Sequence, residues 1–222
     1  MNKQKLWMRM VRGGESLTVE FKVQAPKLER LARTVSAFSN SSGGTLFFGV
    51  DDECNLVGLD HVDGTADLIT QVAGFHCDPP VEVVMDIWEP APSTKILVVE
   101  VPEAENKPIY AANPRKQADR WPYFRSDKEN LPLDKKSIKA MRHMVDADLE
   151  SEVENLDRHS ILLLNRLADT PRQTVPQLAR AINIGTHRAK KLMVHLEQLG
   201  WIHSFFNEKR REYSLTIPWK KR

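Results

Sequence analysis

The sequence has few of the features that mark disulfide-stabilised, membrane or metal-centre proteins. Only two cysteines, Cys54 and Cys77, occur in 222 residues, which is too few for a disulfide framework and gives no CxxC zinc spacing. No run approaches the roughly 18 uncharged apolar residues of a membrane span, and the N-terminus has no apolar signal core. We therefore expect a cytoplasmic protein with two free thiols and no membrane partner.

Motifs for bound phosphate and zinc are also missing. The glycine-rich string Ser41–Thr45 does not belong to a GxxxxGK[ST] loop, and no lysine follows Gly43 and Gly44, so we interpret these glycines as a turn. The seven histidines show neither HxxxH nor HExxH spacing. This spacing argues against a zinc site.

Charge is nearly balanced overall but is unevenly distributed. Residues 171–222 contain 11 Lys and Arg against 3 Asp and Glu, a net charge of +8, whereas the preceding residues have −6 within the total of +2. An acidic run over residues 146–157 separates the two parts. We predict a first domain over residues 1–145, an acidic linker or helix over 146–157, and a basic second domain over 158–222.

Strand-like and helix-like patterns alternate through the first domain, which predicts an α+β fold with helices on a mixed sheet. The predicted strands are 17–23, 45–50, 56–59, 81–88 and 95–101, with short edge strands at 109–111 and 121–125. The predicted helices begin near Pro26, Gly64 and Leu133.

The second domain is predicted to contain three helices and a hairpin. The helices follow from apolar spacing after Arg158, Thr174 and Thr186, and the hairpin from two strands over 201–206 and 211–215. With the turn before Thr186, this order resembles the winged helix-turn-helix family. That resemblance implies that the third helix enters the DNA major groove and that the hairpin wing contacts phosphates. This placement would carry to the groove His187, Arg188, Lys190, Lys191 and His195, and to the phosphates Lys209, Arg210 and Arg211. Arginine is suited to bidentate contacts with guanine, whereas lysine mainly neutralises phosphate.

Four blocks of the first domain resemble the Schlafen AlbA-like domain. They are Glu15–Lys22 (ESLTVEFK), Ser36–Asn40 (SAFSN), Gly43–Asp52 (GGTLFFGVDD) and Val57–Gly58. The resemblance implies a mixed α/β fold, association with nucleic acid and, for a chain with one such lobe, a homodimer.

Some proteins of that family are RNA endonucleases with clustered carboxylates. By position, Glu15 and Glu20 match the family's paired glutamates, and Asp51 or Asp52 matches its aspartate. These carboxylates would hold Mg²⁺ or Mn²⁺, with Lys22 beside Glu20 on the same strand face. The alternative is structural: Asp51 and Asp52 form a turn, Glu15 is solvated and Lys22 pairs with Glu20.

A third feature is a mixture of basic and aromatic residues between Lys107 and Arg125. Such a mixture suits a backbone-binding patch with stacking rings, although aromatic residues at such positions are more often core. Its members are Lys107, Tyr110, Arg115, Lys116, Arg120, Trp121, Tyr123, Phe124 and Arg125.

Together these patterns predict a DNA-binding protein that regulates transcription, with duplex DNA the favoured partner and structured RNA an alternative one. The first domain is expected to dimerise. A metal-dependent endoribonuclease is the enzymatic alternative, and a protein-interaction adaptor is the third class of function.

Overall fold

The computed structural model describes residues 3–113, 116–146, 153–207, 210–216 and 219, and within these ranges it does not describe the side chains of residues 113, 116–118, 136, 140, 143–146 and 206–207. The chain divides into two compact units. The first comprises Met1–Ala104 and Ile109–Leu131, and the second comprises Glu105–Pro108 and Pro132–Arg222. Both contain helices and strands, so the predicted α+β class is confirmed.

One sheet of the first unit is mixed, as predicted. Its strand order is β1-β2-β5-β4, with β1 parallel to β2 and the remaining pairs antiparallel. These strands are β1 (Val19–Lys22), β2 (Gly44–Phe48), β4 (Val84–Ala91) and β5 (Thr94–Val101). Three helices belong to the same unit: α1 (Lys3–Gly13), α2 (Leu28–Asn40) and α3 (Val62–Phe75).

The second sheet of this unit differs from the prediction of short edge strands. It has the order β3-β6-β7-β8, formed by β3 (Cys77–Asp78), β6 (Tyr110–Asn113), β7 (Lys116–Ser126) and β8 (Glu129–Pro132). Strand β7 has 11 residues and lies between β6 and β8. The prediction was wrong about its length and position because charged residues at one end of β7 disguise the alternation that a strand requires.

Apolar side chains form two clusters in the first unit. The larger one includes Leu31, Phe38, Ile69 and Val99, from α2, α3 and the mixed sheet. The second cluster contains Trp7 and Val11 of α1 together with aromatic residues of the sheet. Helix α1 was not among the predicted elements, because only these two of its residues are buried and they stand among basic side chains.

The segment after β2 corrects another prediction. Instead of a partner strand over 56–59, Leu56 forms a single bridge with Val50. The turn itself is present, and Cys54 adopts the left-handed conformation there, with a φ of 68°. The interpretation of Gly43 and Gly44 as a turn is confirmed for Gly43 only, because Gly44 begins β2. The φ of Gly43 is +70°, and a Cβ at this position would lie 2.8 Å from the carbonyl oxygen of Val101.

The second unit contains four helices longer than one turn among its described residues, together with a three-stranded sheet of order β10-β11-β9. In chain order the elements are α4 (Lys135–Asp146), α5 (Arg158–Asp169), β9 (Gln173–Thr174), α6 (Val175–Ala181), α7 (Thr186–Gln198), β10 (Ile202–Asn207) and β11 (Arg210–Leu215). Helix α4 contacts α7 and β10. The helix that was expected to close the first domain therefore packs in the second unit. Residues 147–152, half of the acidic run, lie outside the described residues.

Helix caps in the second unit follow the sequence closely. The carboxylate of Asp157 accepts a hydrogen bond from the Ser160 backbone N–H at 2.7 Å, and the Thr174 N–H donates to Gln177 Oε1 at 2.8 Å. The N-cap of α7 is Gly185, which has no side chain to accept a hydrogen bond. Leu164, Met193 and Trp201 belong to the core that these helices cover. Among the residues described, no helix is long and apolar enough to cross a membrane.

Candidate functional site

The most deeply placed charges of the first unit are those around Glu20. Its Oε1 lies 2.7 Å from Lys22 Nζ, and its Oε2 lies 2.5 Å from Arg125 Nη1. The Arg125 side chain is fully buried, and its guanidinium also donates to Asn130 Oδ1 at 3.0 Å and to the Ser16 carbonyl oxygen at 3.1 Å. Each carboxylate oxygen of Glu20 is therefore already engaged by a cation.

This arrangement corrects the prediction of a nucleic-acid contact at Arg125. Burial lowers the pKa of Arg125, and the adjacent Glu20 carboxylate opposes that shift. The guanidinium lies 4.8 Å from the centre of the Phe38 ring, inside the unit. A buried guanidinium that is paired and hydrogen-bonded supports the fold and presents no charge to a ligand at the surface.

Two of the other predicted carboxylates, Glu15 and Asp51, have local hydrogen-bond partners. Glu15 Oε1 accepts from the Phe21 backbone N–H at 2.9 Å. Asp51 accepts from the backbone and side-chain N–H groups of Asn55 at 2.8 and 2.9 Å, and from the Glu53 N–H at 3.0 Å. The hydrogen bonds from Asn55 lower the pKa of Asp51. Asp51 thus stabilises the turn, which is the structural alternative.

These contacts do not fit a metal site. Throughout the described part of the chain, no three His, Cys, Asp or Glu side chains are grouped so that they could hold a metal ion. The predicted Mg²⁺ or Mn²⁺ site of Glu15, Glu20, Asp51 and Asp52 is therefore not formed by these residues. The hypothesis of a metal-dependent endoribonuclease required these four carboxylates as metal ligands, so it is no longer supported by them.

Some of the predicted residues do meet in a cleft of about 720 Å³ in the first unit. Glu20, Lys22 and Asp52 line it, together with Arg30 and Arg33 of α2. The two arginines were not predicted as site residues, although they stand on the polar side of a helix whose buried stripe is clear in the sequence. The cleft contains charges of both signs, and its Glu20 and Lys22 are paired with each other.

A smaller pocket of about 110 Å³ in the same unit shares Arg33 with this cleft. It is lined by Glu29, Arg33, Ala111, Ala112, Asp119, Trp121 and Tyr123. Trp121 and Tyr123 belong to the predicted basic and aromatic patch. Phe124 of that patch is buried in the core, which is the alternative predicted for its aromatic residues. Arg120 of the patch forms an ion pair with Asp78. The residue Arg115 and the side chain of Lys116 lie outside the described residues.

In the second unit, the predicted basic face of α7 is exposed to solvent. All five of its side chains are exposed: His187, Arg188, Lys190, Lys191 and His195. Arg188 Nη2 lies 3.4 Å from His159 Nδ1. Within the described ranges, neither Lys190 nor Lys191 forms an ion pair with any residue. Ala189, Met193 and Leu196 are buried on the opposite side of the helix.

The predicted phosphate contacts of the hairpin have different surroundings. Arg210 is exposed, and Lys209 lies outside the described residues. Arg211 Nη2 lies 3.2 and 3.1 Å from the two carboxylate oxygens of Glu197, and 2.7 Å from Ser204 Oγ. Its guanidinium is thus partly engaged within the unit, and Arg210 is the described cation of the hairpin best placed for solvent.

Comparison with known proteins places the first unit in a family. A crystal structure of the DIP2311 protein from Corynebacterium diphtheriae is similar, with 14% sequence identity and a TM-score of 0.43, and the match covers 95% of this chain and 43% of that one. No curated protein gives a significant match. The family model "Schlafen, AlbA_2" matches residues 15–134, more than half of the chain, and this family indicates a nucleic-acid-related function. The chain therefore belongs to the Schlafen AlbA_2 family.

Proposed function

We propose that the protein binds duplex DNA through the exposed face of α7 and regulates transcription. The observation that supports this most directly is the separation of the two faces of the helix. Arg188, Lys190 and Lys191 project into solvent, whereas Ala189 and Met193 anchor the helix in the core. A helix held rigidly by one face and cationic on the other suits the DNA major groove.

The surrounding elements are consistent with a winged helix-turn-helix domain. Helices α5, α6 and α7 are followed by the hairpin β10–β11, with β9 paired to β11. In such a domain α7 is the recognition helix, and the hairpin approaches the DNA backbone through Arg210. Arg188 would make the bidentate contact with guanine, and Lys190 and Lys191 would neutralise phosphates.

Charge distribution gives a second line of support. The positive charge of residues 171–222 produces a long-range attraction for a polyanion, and this attraction weakens as salt screens it. Glu197, an acidic residue of α7, has its carboxylate paired with Arg211. It therefore subtracts little from the positive face of the helix.

We also propose that the protein acts as a homodimer through its first unit. Two copies of α7 related by a twofold axis would then bind half-sites about 34 Å apart, or one helical turn of DNA. Light scattering of the full chain tests this part: we expect the mass of a dimer at micromolar concentration. A monomer at the concentrations that bind DNA would contradict it.

The DNA proposal is tested by fluorescence anisotropy with a random duplex of about 25 base pairs over a salt series. We expect the logarithm of the affinity to fall linearly with the logarithm of the salt concentration, and a triple variant Arg188→Ala, Lys190→Ala, Lys191→Ala to reduce that slope by about 2 to 3. The matched control removes three exposed cations of α1, with Lys5→Ala, Arg9→Ala and Arg12→Ala.

Because both triple variants remove the same charge, they separate a specific surface from general attraction. The α1 variant should retain most of the wild-type slope. The proposal is wrong if the wild-type protein shows no salt-sensitive binding to duplex DNA. It is also wrong if the two triple variants lose affinity equally.

A further inference from the structure

The small pocket of the first unit lies where α2 packs against β6 and β7. Asp119, Trp121 and Tyr123 alternate along β7, so their side chains project from one face of the sheet. Ala111 of β6 is the cross-strand partner of Trp121 and is small, which leaves room beside the indole. From α2, Glu29 and Arg33 stand one helical turn apart and complete the lining.

The aromatic residues of this pocket have different surroundings. The guanidinium of Arg33 lies 5.4 Å from the centre of the Tyr123 ring and covers it. Trp121 is 37% exposed, although a large aromatic residue usually buries more of its surface. The pocket volume of about 110 Å³ is far below the roughly 300 Å³ at which pockets begin to enclose drug-sized ligands. It therefore suits one flat ring system stacked on Trp121.

Polar groups at the pocket determine which ring system fits. Asp119 is exposed and forms no ion pair with the residues that the structure describes. A carboxylate accepts two hydrogen bonds side by side, whereas the Arg33 guanidinium only donates. Asp119 and Arg33 therefore favour a ligand that presents two neighbouring donors on one part of its edge and an acceptor on another part, with Glu29 as a further carboxylate of the lining.

We propose that this pocket binds an unpaired guanine base. Guanine has the N1–H and N2–H₂ donors side by side, which match the two oxygens of Asp119, and its O6 and N7 acceptors suit Arg33. The base stacks on Trp121, the neighbour of Asp119 on the same strand face at a spacing of about 7 Å.

The same groups disfavour the other bases. The donor edges of adenine and cytosine each place a ring nitrogen acceptor beside one amino group, so one carboxylate oxygen would face a lone pair. Uracil and thymine have one N–H between two carbonyl oxygens, which the carboxylate repels. Guanine is therefore the only common base whose donors satisfy both oxygens of Asp119.

This inference concerns a site separate from α7 and a different form of nucleic acid. The base must be unpaired, because pairing in a duplex occupies N1–H and N2–H₂. The pocket therefore selects single-stranded segments or flipped-out nucleotides, whereas α7 is proposed to bind duplex DNA. Each proposal can fail while the other holds.

The test uses the full chain and fluorescein-labelled single strands of thymidine with one central guanine, hypoxanthine or adenine, measured by anisotropy. Hypoxanthine lacks the N2 amino group and keeps the other polar atoms of guanine. We expect the guanine strand to bind about tenfold or more tightly than the adenine strand, since a good bidentate contact discriminates by this factor, with hypoxanthine between them.

Variants then connect the preference to the pocket. Asp119→Asn should abolish the preference for guanine, because an amide replaces one acceptor by a donor. Trp121→Leu should weaken binding of every strand about fivefold or more through loss of stacking. The matched control is Asp67→Asn, which removes an exposed carboxylate of α3 in the same unit and should leave the preference unchanged.

Two results would overturn the inference. One is equal binding of the guanine and adenine strands by the wild-type protein. This measurement does not depend on whether any variant folds. The other is a preference for guanine that survives Asp119→Asn. Duplex binding is measured on the same samples and should not change with Asp119→Asn, so a failure of the α7 proposal is recognised separately.

Discussion

The two compact units use cationic side chains in opposite ways. In the first unit, the Arg125 guanidinium is buried and joined to Glu20, Asn130 and the chain near Ser16. In the second, Arg188 and its lysine neighbours on α7 are exposed. From the sequence, both arginines are predicted to contact nucleic acid. The sign of a residue's charge therefore predicts a partner only when its burial is known.

The contrast has an energetic basis. A buried charge loses its hydration, so it is stable only where a counter-charge and hydrogen bonds replace water. An exposed cation keeps its hydration and interacts with a distant polyanion through a screened field. Arg125 therefore contributes to the free energy of folding, and the residues on α7 are available for binding.

The sharpest way to break the comparison is to remove the counter-charge in the first unit. Glu20→Ala leaves the buried Arg125 uncompensated, and we expect unfolding in urea to show a loss of roughly 3–5 kcal/mol. The double variant Glu20→Leu, Arg125→Met should lose much less, because it removes both charges. Glu89→Ala is the control: its pairing with Lys95 is exposed, and its loss should be below about 1 kcal/mol. Equal losses for Glu20→Ala and Glu89→Ala would contradict this account.

The second prediction concerns a buried titratable side chain of the second unit, a histidine. His203 on β10 is buried, and burial lowers its pKa to about 4 from the usual 6.5. The folded unit thus favours neutral His203, while the unfolded chain binds a proton near pH 6.5. The folded state therefore has its full stability above pH 6.5. It loses stability as the pH falls towards 4, because the unfolded chain gains a proton on His203 that the folded unit does not accept.

We expect the change from pH 7 to pH 4.5 to cost about 2 kcal/mol through this residue. The measurement is the urea unfolding free energy at both pH values for the wild-type protein and for His203→Gln, whose side chain does not titrate. The wild-type protein should lose more stability than the variant. An identical pH dependence of the two proteins would show that His203 does not titrate as its burial requires.

A smaller effect is expected at a charge that is exposed to solvent. Asp157 caps α5, and hydrogen bonds from Ser160, first from its backbone and then from its side chain, lower the pKa of this carboxyl group. Asp157→Ala should cost about 1 kcal/mol at neutral pH, and Asp157→Asn less, because an amide oxygen still accepts the N–H. The stabilisation by the carboxylate should vanish as the pH falls through its lowered pKa. Thermal melts over a pH series measure this as a shrinking difference in Tm between the wild-type protein and each variant. A loss for Asn as large as that for Ala would indicate that the charge, and not the cap, is responsible.

The smallest effect on stability is expected for an exposed cation of α7. Lys191→Ala should leave stability unchanged within about 0.5 kcal/mol. It should weaken duplex binding roughly fivefold at 0.15 M salt and reduce the salt slope by about 1, equally for all DNA sequences. Anisotropy with two unrelated duplexes measures both effects. A sequence-dependent loss would indicate that Lys191 contacts bases instead of phosphates.

Much of the fold was predictable because local patterns determine it. The buried stripe of α2, the apolar run over residues 96–99 of β5, and the order of the helices in the second unit follow from apolar spacing and cap residues. The errors have local causes too. Helix α1 buries only two side chains, and β7 is flanked by charges that weaken its alternation.

The candidate site was less predictable. The sequence places Glu15, Glu20 and Asp51 in a family pattern, yet nothing in their spacing specifies which groups their oxygens meet. Arg125 is 105 residues from Glu20, and no local rule connects them. The paired Glu20 and Lys22 were predictable, because residues two apart on a strand share a face.

Three properties can be read from the residue order alone: the α+β class, the family of the first unit and the exposed basic stripe of α7. They follow from periodicity, motif order and local charge, which are properties of neighbouring residues. Three others emerge only in the folded chain: Arg125 is interior, the carboxylates form no metal site among the described residues, and Arg33, Asp119 and Trp121 line one pocket. Those outcomes depend on contacts between distant segments, where burial and the available counter-charge decide what each side chain does.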